Sequence, residues 1–265
     1  MDIFGAIGDS FKIMKKRPLP VLLILIFEIA LVLPVTFFFA KALPMGAARE
    51  NPSMTPQAAL SLLFHSLSII GVVAIVAILI MPLFIGYFVA IANQYYNKKP
   101  LSTPLAFTAA RKRYMSILGA SALLSVIGGV LVIIPIVLIV LSFTTSLVLL
   151  PVGFLLLIIV LLLWEIWTFE TYQIIIGENR NAIPAFKRSV QIGNRNWASI
   201  VGLLIVVGIG YVILSFVFGL FADVFGTGSF FLVATILRAI PGGLFACFSF
   251  ILPVAFYKQL KLKKS

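Results

Sequence analysis

Long apolar stretches alternate with short basic segments along the whole chain. A transmembrane helix needs about 20 consecutive apolar residues, and most of these stretches have that length. The stretch from Ile117 to Ile176 is too long for one crossing, so we predict a turn inside it at the polar interruption Ser142–Ser146. The pattern predicts an all-α integral membrane bundle of about six transmembrane helices. The predicted spans are 19–43, 69–95 with an outer extension back to 57, two within 117–176, 198–221, and 241–260, which follows a shorter apolar segment at 230–240.

Basic residues between the spans determine the predicted orientation. Cytoplasmic loops are enriched in Lys and Arg, and six crossings place all the basic groups on one face. The opposite face keeps Lys41, Arg49 and Arg238. We therefore expect both termini in the cytoplasm, and we interpret the first apolar run as a transmembrane helix and not as a signal peptide. The basic groups are Lys12, Lys15, Lys16 and Arg17; Lys98, Lys99, Arg111, Lys112 and Arg113; Arg180, Lys187, Arg188 and Arg195; and Lys258, Lys261, Lys263 and Lys264.

Composition indicates that lipid is the main solvent of this chain. Of its 265 residues, 62% are hydrophobic and 11% are charged, whereas soluble domains average roughly half and a quarter. The net charge of +12 comes from residues between apolar runs, which favours anionic lipid headgroups over nucleic acid as partners. The single cysteine, Cys247, excludes an intrachain disulfide, and the single histidine, His65, has no ligand cluster near it in sequence. We expect neither a metal site nor a cofactor.

A unit of sequence is repeated three times within one predicted transmembrane domain that covers residues 1–265. The units cover about 1–100, 101–181 and 182–265, and their matching segments begin at Ala6, Ala106 and Ala185. Each unit then continues into two spans. We hypothesise that the three units surround a central lipid or cavity as a pseudo-threefold bundle.

The leading segment of each unit is predicted to be a short amphipathic helix. Its apolar face should lie in the headgroup plane, with Lys and Arg directed toward anionic lipid. The alternative is an ordinary cytoplasmic helix that packs on the bundle. The predicted apolar face is Ile3, Phe4, Ile7, Phe11 and Met14 in the first unit, and Ile183, Phe186, Val190, Gly193 and Trp197 in the third.

The third leading segment carries a family resemblance. Residues Glu178 to Trp197 read Glu-x4-Ile-Pro-Ala-Phe-Lys-Arg-Ser-Val-Gln-Ile-x4-Trp. This resembles the membrane domain of glycerophosphoryl diester phosphodiesterase and related six-span proteins. The resemblance implies a six-helix bundle with interfacial leading helices. It does not imply phosphodiesterase activity, because the catalytic domain of that enzyme is a separate soluble domain.

Carboxylates within predicted spans are candidates for function, because a charge in the hydrocarbon layer is costly. Glu28 and Glu165 lie at similar predicted depths, which suggests a pair that binds a proton or cation across the bundle interior. The alternative is that each carboxyl is neutral or hydrogen-bonded and holds helices together. Glu170 lies nearer the cytoplasmic interface, where we expect it to pair with a basic loop residue. Arg238 precedes Pro241–Gly243, a predicted helix break, and has Asp223 as a candidate partner.

No catalytic motif is visible, since Walker A, Gly-x-Ser-x-Gly and His-Glu-x-x-His sequences are all missing. We therefore expect no enzymatic activity. The leading hypothesis is a non-enzymatic multi-pass protein of the cytoplasmic membrane that organises lipids or a membrane protein partner. The alternative is a small-solute or ion transporter that uses Glu28 and Glu165. The residues expected at headgroups or the interface are Lys12, Lys15, Lys16, Arg17, Arg111, Lys112, Arg113, Lys187, Arg188, Arg195 and Trp197.

Overall fold

The computed structural model describes residues 3–42, 56–142, 148–224 and 231–262, which form helices and, within these ranges, no strand. The all-α prediction is confirmed. Side chains are described over 4–30, 75–142, 148–224 and 233–260. The helices are α1 (Ile3–Lys16), α2 (Pro18–Ala42), α3 (Pro56–Tyr96), α4 (Thr103–Ser142), α5 (Leu149–Thr168), α6 (Thr171–Gly177), α7 (Ala182–Val224) and α8 (Phe231–Leu262).

Most predicted spans correspond to observed helices. Helix α3 runs without interruption through the predicted outer extension, and α4 ends at Ser142 where the turn was predicted. The rest of that turn, residues 143–146, lies outside the described residues, as do the side chains of Lys41, Arg49 and His65. Apolar runs of this length satisfy every backbone hydrogen bond inside one helix, which is why they form these elements.

The predicted helix break at Pro241–Gly243 is wrong, because α8 continues through it. A proline inside a helix removes one backbone hydrogen bond, and neighbouring helices compensate for this in membranes. Gly243 contributes close packing instead. A Cβ atom at position 243 would lie 2.7 Å from Leu25 Cδ2, so only glycine allows these helices to approach so closely.

Five helical stretches of the described chain are long and apolar enough to cross a membrane, which indicates a membrane protein. Helix α2 contributes the shorter apolar segment Pro18–Ala30, so the sixth crossing stays a prediction. The stretches are Ile75–Tyr96, Thr103–Ser142, Leu149–Gly177, Ala182–Val224 and Val233–Leu260.

Helices α4, α5 and α7 expose long apolar surfaces. In an apolar segment of 18 residues from each of these helices, 11% of the residues are buried. In the corresponding segments of α3 and α8, 50% and 56% are buried. Large side chains such as Ile134, Leu155 and Val212 are exposed on them. A water-soluble protein does not leave contiguous apolar surfaces of this size uncovered, so lipid is the solvent that fits them.

The chain divides into two compact units. Unit 1 comprises Met1–Ile13, Pro82–Val207 and Phe250–Ser265, and its core contains the fully buried side chains of Ile117, Ile174 and Phe256. Unit 2 comprises Met14–Met81 and Gly208–Ser249, and Ile24 and Cys247 are buried within it. The predicted single domain with repeat boundaries near 100 and 181 stays a prediction.

Candidate functional site

Two side-chain amides from distant helices pair inside unit 1. Asn93 Nδ2, near the end of α3, donates to Gln173 Oε1 on α6 at 2.9 Å, and Gln173 Nε2 donates back to Asn93 Oδ1 at 3.2 Å. Asn93 Nδ2 also donates to Val89 O at 3.0 Å. Gln173 is buried, so this reciprocal pair satisfies an amide that would be costly to bury alone.

The amide pair lies in the wall of a polar pocket. The pocket encloses about 230 Å³ and is lined by the ends of α3, α6 and α8, together with Ala109 of α4. Of the described residues that line it, Lys99 and Lys258 are the charged ones. The lining consists of Ala90, Asn93, Gln94, Asn97, Lys99, Ala109, Gln173, Ile176, Gly177, Tyr257 and Lys258.

The end of α3 is capped by its own backbone. Lys98 has a φ of 54°, in the left-handed region, and its N–H donates to Tyr95 O at 3.0 Å. The N–H of Lys99 donates to Gln94 O at 2.9 Å, and together these bonds form a Schellman motif. The motif satisfies carbonyl groups that would otherwise be left open at the helix end. It also places Lys99 in the lining of the pocket.

A second polar cluster lies beside the pocket. Tyr257 O–H donates to Glu178 Oε1, and Arg180 Nε forms an ion pair with Glu178 Oε2 at 2.9 Å. Lys258 Nζ, from α8, donates to Asn97 Oδ1 at 2.8 Å. Both oxygens of Glu178 are therefore occupied by partners, and this carboxylate does not line the pocket.

Glu170 has a different environment from Glu178. It is fully buried at the break between α5 and α6, and among the described residues neither of its side-chain oxygens has a hydrogen-bond partner, nor does the hydroxyl of Thr171. The expected pairing of the Glu170 side chain with a basic loop residue is therefore not observed. Its backbone N–H donates to Ser189 Oγ of α7 at 3.1 Å.

Helix α7 approaches α5 closely at the break between α5 and α6. In a continuous helix Ile166 O would accept the N–H of Glu170, but that N–H is bonded to Ser189 instead. A Cβ atom at Gly193 would overlap with Ile166 O, so glycine is required at this contact. Ser189 and Gly193 lie one turn apart on one face of α7. Through this face the start of α7 packs against the end of α5.

The leading part of α7 ends at Asn196, whose φ of −127° and ψ of 20° interrupt the helix before the span. Its packed side consists of the buried residues Ala185, Ser189, Ile192 and Gly193, of which Gly193 also belongs to the predicted apolar face. On the rest of that face Ile183 is 58% exposed, and Phe186 and Val190 are half-buried. Trp197, 59% exposed, lies beyond the interruption at Asn196. The basic residues Lys187, Arg188 and Arg195 are exposed on the remaining side. The leading helix therefore has three sides: one packed, one apolar and exposed, and one basic and exposed.

The other predicted residues fall on both units. Glu165 is exposed on α5 in unit 1, and Glu28 is half-buried on α2 in unit 2, where Gly243 lies close to it. Their pairing and the transport alternative stay predictions. Arg238 Nη2 contacts Asp223 Oδ1 at 2.6 Å, which confirms that predicted partnership. Of the remaining basic candidates, Lys12, Lys15, Lys16, Arg111 and Lys112 are exposed, and Arg17 and Arg113 are half-buried.

The pocket residues were not predicted from the sequence. The sequence did contain a signal for this pair. Asn93 and Gln173 are 80 residues apart, which is close to the length of one predicted sequence repeat. An amide that recurs at the same place near the end of two spans is a candidate for a shared site. Within the part of the chain that the structure describes, no group of three or more His, Cys, Asp or Glu residues is arranged to hold a metal ion.

Comparison with known families gives one match. The sequence model of a family described as a domain of unknown function, DUF7847, matches residues 1–260. No curated protein and no solved structure matches the chain. A relationship to the phosphodiesterase membrane domain is not shown.

Proposed function

The chain belongs to this family of unknown function, and from that premise we propose that it is a non-enzymatic, multi-pass protein of the cytoplasmic membrane that organises anionic lipids around itself. The observation that carries the proposal is the three-sided leading helix of α7. A helix with a packed side, an exposed apolar side and an exposed basic side fits the boundary between protein, acyl chains and headgroups.

Helix α1, the leading helix of the first sequence repeat, has the same three-sided arrangement. In α1, Ala6, Ser10 and Ile13 are buried, and Ser10 Oγ donates to Ala6 O at 2.9 Å. Phe4 and Phe11 are 77% and 57% exposed, and Lys12, which pairs with Asp9, is exposed next to Phe11 along the chain. An exposed phenylalanine beside an exposed lysine is a combination that a lipid–water interface stabilises and water alone does not.

The start of α4, which is the leading segment of the middle sequence repeat, has the same three-sided arrangement. Ala106 and Ala110 are fully buried, Leu105 and Phe107 are exposed beside them, and Arg111 and Lys112 are exposed one turn further on. The buried alanines at 6, 106 and 185 are the residues that the sequence aligned. These matching environments support three repeats, each made of a leading helix and two spans, with both termini in the cytoplasm.

The ends of the three second spans support the same proposal. Asn93, Gln173 and Tyr257 come from the three proposed sequence repeats. All three line one pocket in unit 1. A shared pocket is what a pseudo-threefold bundle around a central cavity requires. The basic leading helices would then gather anionic headgroups on the face that contains the mouth of the pocket.

Lipid selectivity provides the test. The full chain is reconstituted in mixed phosphatidylglycerol and phosphatidylcholine bilayers that contain spin-labelled lipids, and the preference of the motionally restricted shell for phosphatidylglycerol is measured. We expect the triple variant Lys187→Gln, Arg188→Gln, Arg195→Gln to lose much of that preference. The matched control neutralises the same number of charges at Lys261, Lys263 and Lys264. An equal loss in both variants, or none in either, would contradict the proposal.

A further inference from the structure

The lining of the unit 1 pocket offers several side-chain hydrogen-bond donors. The side chain of Lys99 has no hydrogen bond or ion pair within the described residues, and it lies at the pocket. Lys258 holds the side-chain oxygen of Asn97, which leaves the Asn97 amide nitrogen as a donor. Gln173 uses one of its two amide N–H groups on Asn93, so the other remains.

Among the described residues, the lining contains no Asp or Glu, and the nearby Glu178 is engaged by Tyr257 and Arg180. Helix C termini carry partial negative charge, which would oppose an anion. At α3 this charge is reduced, because the carbonyls of Asn93, Gln94 and Tyr95 all accept backbone N–H groups from the capping turn.

The dimensions of the pocket limit what it holds. Sites for drug-sized ligands enclose about 300–1,000 Å³, whereas this pocket encloses about 230 Å³. A Cβ atom at Gly177 would lie 2.8 Å from Gln173 Nε2, so the glycine leaves room for the amide that faces the pocket. The space therefore fits a small anion or the headgroup of a lipid whose chains remain outside.

We propose that this pocket binds a phosphate group, held by Lys99 and Lys258 and by the amide nitrogens of Asn97 and Gln173. Lysine ammonium groups bind phosphate through charge-assisted hydrogen bonds, which are roughly twice as strong as neutral ones. The phosphate belongs either to a lipid headgroup or to a soluble phosphate compound. This inference goes beyond the proposed lipid organisation, because it concerns a discrete site in unit 1 and not the surface of the leading helices.

The test uses the full chain in phosphatidylcholine nanodiscs, which supply no net-anionic lipid. Inorganic phosphate and short-chain phosphatidylglycerol are titrated separately, and binding is followed by calorimetry. We expect Lys99→Gln to weaken binding by about tenfold or more, the effect of losing a charge-assisted hydrogen bond, and the double variant with Lys258→Gln to weaken it further. The charge-matched control is Arg111→Gln with Lys112→Gln, outside the pocket.

Each outcome distinguishes the sources or overturns the proposal. Binding of phosphatidylglycerol alone identifies a lipid headgroup site, and binding of both probes identifies a phosphate site open to water. Binding of neither probe, or an equal loss in the control, overturns the proposal. Lys99→Gln by itself keeps the test valid if the double variant fails to fold, because Lys99 is exposed and its side chain holds no other described residue.

Discussion

The two units use polar side chains in different ways. In unit 1, polar groups from distant helices contact one another in the interior, as in the Asn93–Gln173 pair and the bond from Tyr257 to Glu178. In unit 2, the ion pair found among the described side chains lies at the surface, with Arg238 56% and Asp223 67% exposed. Among the described side chains, the comparison places the polar contacts between distant helices in unit 1 and an exposed ion pair in unit 2.

The largest difference is expected from two glycines on the same helix. Gly193→Ala places a Cβ atom against the backbone of Ile166 in unit 1, whereas Gly208→Ala, in unit 2, meets nothing within 4 Å. Overpacking of this kind costs about 1–3 kcal/mol. We expect Gly193→Ala to lower the free energy of unfolding by at least that amount, as measured by steric trapping in bicelles.

Gly208→Ala is the control for that measurement. Alanine is more favourable than glycine inside a helix by roughly 0.5–1 kcal/mol, so this variant should be neutral or slightly stabilised. Equal destabilisation by the two substitutions would contradict the expectation that the close contact with Ile166 makes position 193 more sensitive than position 208.

Substitution of two glutamates of unit 1 should change the stability of the protein to different extents. Glu178→Gln weakens the bond from Tyr257 and the ion pair with Arg180, and a hydrogen bond to a charged group contributes about 1.5–3 kcal/mol. Glu170→Gln replaces a buried carboxyl group that has no hydrogen-bond partner among the described residues, so we expect no loss of stability. Thermal unfolding of both variants and of Tyr257→Phe tests this. Destabilisation by Glu170→Gln as large as that by Glu178→Gln would contradict the assignment.

The smallest effect is expected in unit 2. Both side chains of the Arg238–Asp223 pair are well exposed, and surface ion pairs contribute about 0–1 kcal/mol. A double-mutant cycle with Arg238→Gln and Asp223→Asn should give a coupling energy below about 1 kcal/mol. A coupling as strong as that between Tyr257 and Glu178 would remove the difference between the units.

The sequence predicted the helices well because long apolar runs have few alternatives in a membrane. It also identified Asp223 as the partner of Arg238, since both flank the same short connection between two spans. The continuity of α8 through Pro241 was missed, because the effect of a proline depends on the helices that surround it.

The pocket was missed for a different physical reason. Asn93, Gln173 and Tyr257 each read as ordinary polar residues near the end of a span, and only the tertiary structure brings them together. The packed side of α7 was also missed, because Ser189 is polar but buried, where its hydroxyl accepts the N–H of Glu170. Hydrophobic periodicity does not detect contacts made by small and polar residues.

The most direct test of the central claim is native mass spectrometry of the full chain after gentle extraction from its own membrane. If unit 1 holds a phosphate-bearing lipid, the spectrum should show an anionic phospholipid retained in stoichiometric amount, and Lys99→Gln should release it. A protein that emerges without bound lipid, or with lipids in the proportions of the bulk membrane, would contradict the account.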